Sequence, residues 1–201
     1  MNVSVENHTN AIVAGLPLGS DQELATVRNC SVPTASYRHE LAPNGSRLAT
    51  MSRLEIYTDG ACQGNPGPGG WGWAAAPDGE PNGSGGEAAS TNQRMEIYAV
   101  IDALQTYSKV ADEHGAPVPI EIVSDSTYVV KCFNDKWWVK WERNGWKNSK
   151  KQPVANDDLW KPLIELVQAS DVTFRWVKGH SGDRMNDMVD ALAVAAVPRR
   201  N

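Results

Sequence analysis

The chain has 201 residues, of which 41% are hydrophobic and 21% charged, and its net charge is −5 at pH 7. This composition is typical of one medium globular domain and argues against a fully disordered chain. The longest apolar run, residues 191–197, is too short to span a bilayer, so we exclude a membrane protein. The three cysteines are widely spaced, which favours neither a disulfide framework nor a zinc site and indicates a reducing, cytoplasmic setting.

The first fifty residues differ in composition and hydrophobic pattern from the rest of the chain. They contain no Lys and no Trp, and they show no sustained helical or strand period. No basic segment leads into a long apolar stretch, so a secretory signal is not supported. We therefore predict that residues 1–50 are a disordered extension and residues 51–201 a folded domain, with Met51 as an alternative start. A partner-binding arm within residues 1–50 is an open alternative.

From Arg53 onward, strand and helix patterns alternate. Alternating or continuous apolar residues predict five strands, at residues 54–60, 71–76, 85–90, 120–123 and 172–176. Helices are predicted from Asn92, placed to cap the first of them, through Leu104, over 128–133, within the Trp- and Lys-rich segment that ends at Lys151, from Asn156 onward, and over 183–196. This order predicts an α/β fold with a five-stranded mixed sheet flanked by helices.

Four carboxylates lie where ordinary surface charge is not expected. Asp59 ends the first predicted strand and Asp125 ends the fourth, whereas Glu96 and Asp190 lie on helix faces that are otherwise apolar. The first and fourth strands of such a sheet can be neighbours, which would bring Asp59 and Asp125 together. Taken singly, each acid is more simply a helix cap or a solvated residue.

Gathered in one place, the four acids would need counter-charge. Each close pair would repel by roughly 4 kcal/mol at an effective dielectric constant near 20. Bound cations remove that cost, and ligands that are all oxygen favour Mg²⁺ or Mn²⁺ over zinc. Two divalent ions balance four carboxylates in formal charge, and such pairs clamp the attacking and leaving oxygens of a phosphodiester.

The acids lie in segments that resemble type I ribonuclease H. The matching segments are 58–70 (TDGACQGNPGPGG), 91–96 (TNQRME), 124–129 (SDSTYV), 176–182 (WVKGHSG), 186–187 (ND) and 190–193 (DALA). The resemblance covers about residues 53–197 in the family's order. It implies a ribonuclease H-like fold for residues 51–201 and endonucleolytic hydrolysis of the RNA strand of RNA–DNA hybrids, which leaves 5′-phosphate and 3′-hydroxyl ends. By the same resemblance, two Mg²⁺ ions, or Mn²⁺ in their place, would be held by Asp59, Glu96, Asp125 and Asp190.

The resemblance also assigns roles to other polar residues. His180, in a loop between Gly179 and Gly182, matches a residue that carries a proton near the scissile phosphate; the alternative is a loop histidine bonded to backbone. Four residues match positions of the family that contact substrate, where amides and hydroxyls suit a 2′-hydroxyl and minor-groove edges: Asn65, Asn92, Gln93 and Ser126. Asn65 is equally well explained as a turn residue before Pro66.

A basic stripe stands out in this acidic chain. Seven basic residues, two acids and four Trp are interleaved between residues 131 and 151. The stripe resembles the basic protrusion of bacterial ribonucleases H, which grips the DNA strand. A continuous helix would align Lys136, Lys140, Arg143 and Lys147 on one side, with Gly145 interrupting it before Lys147. The substrate-binding candidates are Lys136, Trp137, Lys140, Trp141 and Lys147; the alternative is a solvated helix whose Trp side chains pack on the body.

Two other classes of protein compete with this interpretation. Resolvases and transposases share the fold but lack the combination of the Gly-Asn-Pro-Gly-Pro turn and the basic Trp segment. A hybrid-binding module without catalysis would not need the intact set of acids. We therefore expect a monomeric, cytoplasmic endoribonuclease whose substrate is an RNA–DNA hybrid and which makes no membrane contact.

Overall fold

The computed structural model describes residues 37–41, 47–51, 53–114 and 118–199. Within these residues the chain forms strands and helices in alternating groups. The strands are β1 (Tyr37–Leu41), β2 (Arg47–Met51), β3 (Leu54–Cys62), β4 (Gly67–Ala75), β5 (Asn82–Ser90), β6 (Ile120–Ser124) and β7 (Val172–Trp176). The helices are α1 (Asn92–His114), α2 (Thr127–Asn134), α3 (Trp137–Arg143), α4 (Asp157–Gln168) and α5 (Arg184–Ala196).

Five strands form one mixed sheet in the order β5-β4-β3-β6-β7, which confirms the predicted α/β architecture. β3 pairs antiparallel with β4 and parallel with β6, and β7 continues the parallel half. The register of Thr58 opposite Ser124 places the carboxyl end of β6 beside the middle of β3, which continues to Cys62. Asp59, the next residue of β3, and Asp125, the first residue after β6, therefore lie at neighbouring positions, as the sequence predicts.

Helices cover both faces of the sheet. The larger core lies against α1, α2 and α4, where Trp73 and Trp160 are fully buried. Complete burial of one large apolar side chain contributes about 1.5–3 kcal/mol to stability. This layer therefore stabilises the sheet and helix that carry the acids. α5 covers the opposite face and buries Val189 against Tyr57 and Val123. In the described residues, no helix has the length and apolar character needed to cross a bilayer.

Two details of the predicted helices are wrong. The residue that caps α1 is Thr91, whose Oγ1 accepts a hydrogen bond from the Arg94 backbone N–H at 3.4 Å, rather than Asn92. The helix of the basic stripe is shorter than predicted, because α3 covers seven residues only and leaves Lys136 outside it, whereas the interruption at Gly145 before Lys147 is confirmed. Lys136 has φ of 54° and Gly145 has φ of 65°, and this left-handed backbone conformation bounds α3 at both sides.

An antiparallel ribbon lies before the sheet. β1 pairs with β2, from Tyr37 opposite Met51 to Leu41 opposite Arg47. The sequence analysis expects no strand here, although Asn44-Gly45 is a common hairpin signal in the intervening sequence. Residues 1–36 lie outside the described residues, so the division into an extension and a catalytic domain stays a prediction.

Candidate active site

Three separate elements bring three carboxylates together. Asp59 comes from β3, Asp125 follows β6, and Glu96 comes from the second turn of α1. One carboxylate oxygen from each lies within 4.8 Å of the other two. Asp59 and Glu96 are each only 7% exposed, whereas Asp125 is half-buried. The cluster therefore contains two buried carboxylates and one that is partly accessible to solvent.

A close approach between backbone atoms places Glu96 beside Asp59. A Cβ atom on Gly60 would overlap the backbone nitrogen of Glu96 and lie 2.6 Å from the carbonyl carbon of Met95. Only glycine at this position therefore lets the start of α1 approach β3 so closely. The Gly60 backbone N–H also donates to Asp59 Oδ1 at 2.7 Å, which fixes the carboxylate.

The Glu96 carboxyl is held on one side and unpartnered on the other. Asn92 Nδ2 donates to Glu96 Oε1 at 3.3 Å, and the Asn92 backbone N–H donates to Asn65 Oδ1 at 3.3 Å. These bonds connect the glycine-rich turn to the acid through the first residue of α1. Glu96 Oε2 is buried without a hydrogen-bond partner. A buried, unpartnered carboxylate oxygen is costly unless a cation or a proton completes it.

The electrostatics of the site favour a bound cation. Burial, with further contributions from the charges of Asp125 and Asp190, raises the pKa of Asp59 to about 7, despite the hydrogen bond from Gly60. Burial and the charges of Asp59 and Asp125 raise the pKa of Glu96 well above its ordinary value. The donor atoms are all carboxylate oxygens, which Mg²⁺ and Mn²⁺ prefer. The residues present therefore fit a hard divalent cation.

Asp125 has the most elaborate surroundings of the three. Asn186 Nδ2, from α5, donates to Asp125 Oδ2 at 3.5 Å, and Trp176 Nε1, from the end of β7, donates to the Asp125 carbonyl oxygen at 3.0 Å. A Cβ atom on Gly179 would overlap Asp125 Oδ2. Sequence reasoning assigned no role to these three neighbours. All three lie in segments that resemble ribonuclease H, and this was the signal in the sequence that could have identified them.

Asp190 and His180 lie outside this group of three. Asp190 is half-buried on α5, and its charge raises the pKa of Asp59, so it lies within electrostatic range. His180 is exposed, with φ of 50°, and its charge lowers the pKa of Asp59. The Asp183 side chain caps α5 by accepting from the backbone N–H groups of Met185 and Asn186, which ends the His180 loop at a fixed point.

The amide and hydroxyl candidates surround the acids with different degrees of engagement. Asn65 and Gln93 are exposed, and Asn92 is half-buried beside Glu96. Ser126 is buried and caps α2, where its Oγ accepts from the Val129 backbone N–H at 3.5 Å. The exposed pair is accessible to a ligand, but Asn65, like Asn92 and Ser126, also makes a structural hydrogen bond.

The basic stripe is split between a short helix and a loop. Lys136, Lys140 and Lys147 are exposed. Trp137 and Trp141 are half-buried and pack on the main core, with the Trp141 ring centroid 5.7 Å from that of Trp160. The two Trp residues therefore anchor the stripe to the body, and the lysines form its exposed surface.

Comparisons with known proteins agree with this geometry. The family model described as RNase H matches residues 51–198. A Ribonuclease H from Syntrophomonas wolfei is 49% identical over 148 residues, which cover 73% of this chain and 97% of that protein. One from Legionella pneumophila is 47% identical and covers 70% and 94%. The solved structure of LC9-RNase H1, described as a type 1 RNase H, is 31% identical with a TM-score of 0.58 and covers 72% of this chain and 71% of that one. The chain therefore belongs to the ribonuclease H family.

Proposed function

We propose that this protein is a metal-dependent endoribonuclease that hydrolyses the RNA strand of RNA–DNA hybrids. The observation that carries the proposal is the gathering of three carboxylates within 4.8 Å by β3, β6 and α1, with an unpartnered oxygen on Glu96. Ribonucleases H that are 47–49% identical over most of their length support the substrate class.

The four acids would hold the metal. We assign two Mg²⁺ ions, with Mn²⁺ as an alternative, to Asp59, Glu96, Asp125 and Asp190, since two divalent ions balance four carboxylates. When bound, such ions supply a nucleophile at neutral pH and neutralise charge on the phosphate that is attacked. The rigid frame of β3, β6 and α1 orients the carboxylates before substrate arrives, so little reorganisation is needed during the reaction.

The remaining site residues would bind, orient and move a proton. A water molecule loses a proton to the solvent as its oxygen bonds to phosphorus, the bond to the 3′-oxygen breaks, and the leaving oxygen takes a proton, which gives 5′-phosphate and 3′-hydroxyl ends. His180 is exposed beside the acids and would carry that proton, because histidine exchanges protons near neutral pH. Asn186 would hold Asp125 in position through its 3.5 Å bond.

The enzyme would distinguish the RNA strand from the DNA strand of the hybrid by contacting each strand with a different group of residues. Asn65 and Gln93 are exposed and carry amides that both donate and accept, which suits the 2′-hydroxyl and base edges of an RNA strand. The lysines of the basic stripe would contact phosphates of the DNA strand, which positions the hybrid without reading its sequence.

One cleavage assay tests the proposal. RNA–DNA hybrid, double-stranded RNA, double-stranded DNA and single-stranded RNA, each end-labelled, are incubated with and without Mg²⁺, and Asp59→Asn serves as the matched control. We expect cleavage only of the RNA strand of the hybrid, and only when Mg²⁺ is present. Tight binding of the hybrid without any cleavage would instead indicate a binding module, and cleavage of double-stranded DNA would indicate another nuclease class.

A further inference from the structure

A tight hairpin follows α3 at residues 146–154, which we call the lysine hairpin. Its two sides are joined by the bridge between Lys147 and Pro153 and by a bond from the Val154 backbone N–H to the Trp146 carbonyl at 3.0 Å. The Asn148 backbone N–H donates to the Gln152 carbonyl at 2.8 Å. These bonds give the segment a defined shape although most of its residues are exposed.

One side chain organises the tip of the lysine hairpin. Asn148 Oδ1 accepts from the Lys150 backbone N–H at 2.9 Å and from the Gln152 backbone N–H at 3.1 Å. The Lys151 backbone N–H donates to the Asn148 carbonyl at 2.9 Å, and Lys151 has φ of 60°. A lysine rarely adopts this left-handed conformation unless its neighbours impose it, and the Asn148 bonds on both flanks do so.

The base of the lysine hairpin is attached to the body. The Trp146 ring lies 6.2 Å from the Trp141 ring, and Lys161 Nζ of α4 lies 4.9 Å above its centroid. Lys161 also pairs with Asp157 Oδ2 at 2.5 Å, which fixes its position. The base of the lysine hairpin is therefore packed against α3 and α4.

The tip presents positive charge without acids of its own. Lys147, Lys150 and Lys151 are exposed, and residues 147–154 contain no Asp or Glu. A loop held in shape before binding loses less conformational entropy when its lysines meet phosphates. Such contacts far from the reacting bond stabilise ground and transition states alike, so they lower KM and leave kcat unchanged.

We propose that Asn148 is a positioning residue for substrate, because it holds Lys150 and Lys151 where they contact successive phosphates of the hybrid. This inference rests on the proposed function, since it concerns binding of the same substrate. The substrate-binding candidates predicted from the sequence end at Lys147, so Asn148, Lys150 and Lys151 are additions to them.

The test combines Asn148→Ala with Lys150→Ala/Lys151→Ala in a double-mutant cycle. With hybrid substrate in Mg²⁺, Asn148→Ala should raise KM about threefold to tenfold with kcat nearly unchanged, as loss of one or two exposed phosphate contacts predicts. In the background without the two lysines, Asn148→Ala should have no further effect on KM. Asn144→Ala, an exposed asparagine at the end of α3, is the matched control and should match the wild type.

Two further measurements separate positioning from general stability. Hydrogen exchange should show loss of protection at the Lys150 and Gln152 amides in Asn148→Ala, with the main core unchanged. Hybrid binding in Ca²⁺ across a salt series should have a flatter slope in Lys150→Ala/Lys151→Ala, by about 0.9 per contact if the hybrid behaves like duplex DNA.

Several outcomes would overturn the inference. They are an unchanged KM in Asn148→Ala, or an effect of that substitution that persists in full without the two lysines. Failure of the proposed function would look different, because the wild type would then bind the hybrid without cutting it. In that case the same cycle, measured as binding affinity, would still decide the role of Asn148.

Discussion

Replacing Asp59 with Asn should abolish cleavage and at the same time stabilise the metal-free protein above neutral pH. The substitution removes one negative charge at nearly constant shape, and the amide oxygen can still accept the Gly60 hydrogen bond. Burial and neighbouring acids raise the pKa of Asp59 from 3.8 to about 7. A shift of this size corresponds to about 4 kcal/mol of unfavourable free energy in the fully ionised folded state, as an upper bound.

The sign of the effect fixes the pH window. Below pH 3.8 the carboxyl is protonated in the folded and unfolded chain alike, so the stability is intact. As pH rises from there to about 7, the unfolded chain ionises first and the folded state loses stability. Above this window the loss is complete, and there Asp59→Asn should be more stable than the wild type by about 2–4 kcal/mol.

Urea unfolding in EDTA at pH 8 and pH 5 measures this difference. The increase in the free energy of unfolding caused by Asp59→Asn should be largest at pH 8 and less than half as large at pH 5. Asp78→Asn, which changes an exposed acid, is the control and should have little effect at either pH. Mg²⁺ should stabilise the wild type more than the variant. A variant that is destabilised at pH 8, or equally stabilised at both pH values, would refute the argument from burial and repulsion. Normal turnover would refute the role of Asp59 as a ligand.

Four other outcomes are expected. Gly60→Ala should lower kcat at least tenfold, since the added methyl displaces Glu96; thermal unfolding in parallel would reveal a simple folding defect. His180→Ala should slow turnover roughly 100-fold in single-turnover assays, and a loss as complete as that of Asp59→Asn would contradict proton transfer as its role. A fragment of residues 51–201 should fold and cut like the full chain, and an insoluble fragment would place the domain boundary elsewhere. Joint replacement of Lys136, Lys140 and Lys147 by Ala should raise KM and leave kcat intact. In Ca²⁺, the same variant should bind the hybrid more weakly, and the slope of log affinity against log salt should flatten by about 0.9 per lost contact.

The acid cluster could be predicted because its signals are local. Asp59 lies in β3 and Asp125 directly follows β6, both strands have clear apolar patterns, and their parallel pairing brings the two acids together. The unusual position of Glu96 on an apolar helix face was equally visible in the sequence. The close approach that joins the two parts was not visible. Gly60 is required by the backbone of α1, which lies more than thirty residues away.

The surroundings of Asp125 show the limit of sequence reasoning. Asn186 and Trp176 lie 61 and 51 residues along the chain from Asp125, and no periodic pattern connects them. Their hydrogen bonds exist only because β7 pairs with β6 and α5 packs on the sheet. Contacts of this kind follow from tertiary structure, so they required the fold.

The basic stripe was misjudged for a different reason. Spacing of Lys and Arg predicted a helix that includes Lys136 and is interrupted at Gly145, but Lys136 and Trp146 both have positive φ, which local propensity disfavours. The Trp141 ring lies near both Trp146 and Trp160, and this packing compensates for the strained backbone. Tertiary contacts of aromatic residues thus override the local preference for a longer helix.

The acids and the basic stripe belong to different parts of the fold, and α1 joins them. Arg94 lies two residues before Glu96, and its guanidinium forms a bidentate pair with Asp158 of α4 at 3.0 and 2.9 Å. α4 in turn holds Trp146 through Lys161. Exposed ion pairs contribute little stability, but a bidentate pair fixes orientation. Under the proposed function, a hybrid bound along the lysines would be held in a defined position relative to Glu96, and binding far from the acids would also orient the phosphate that is cut.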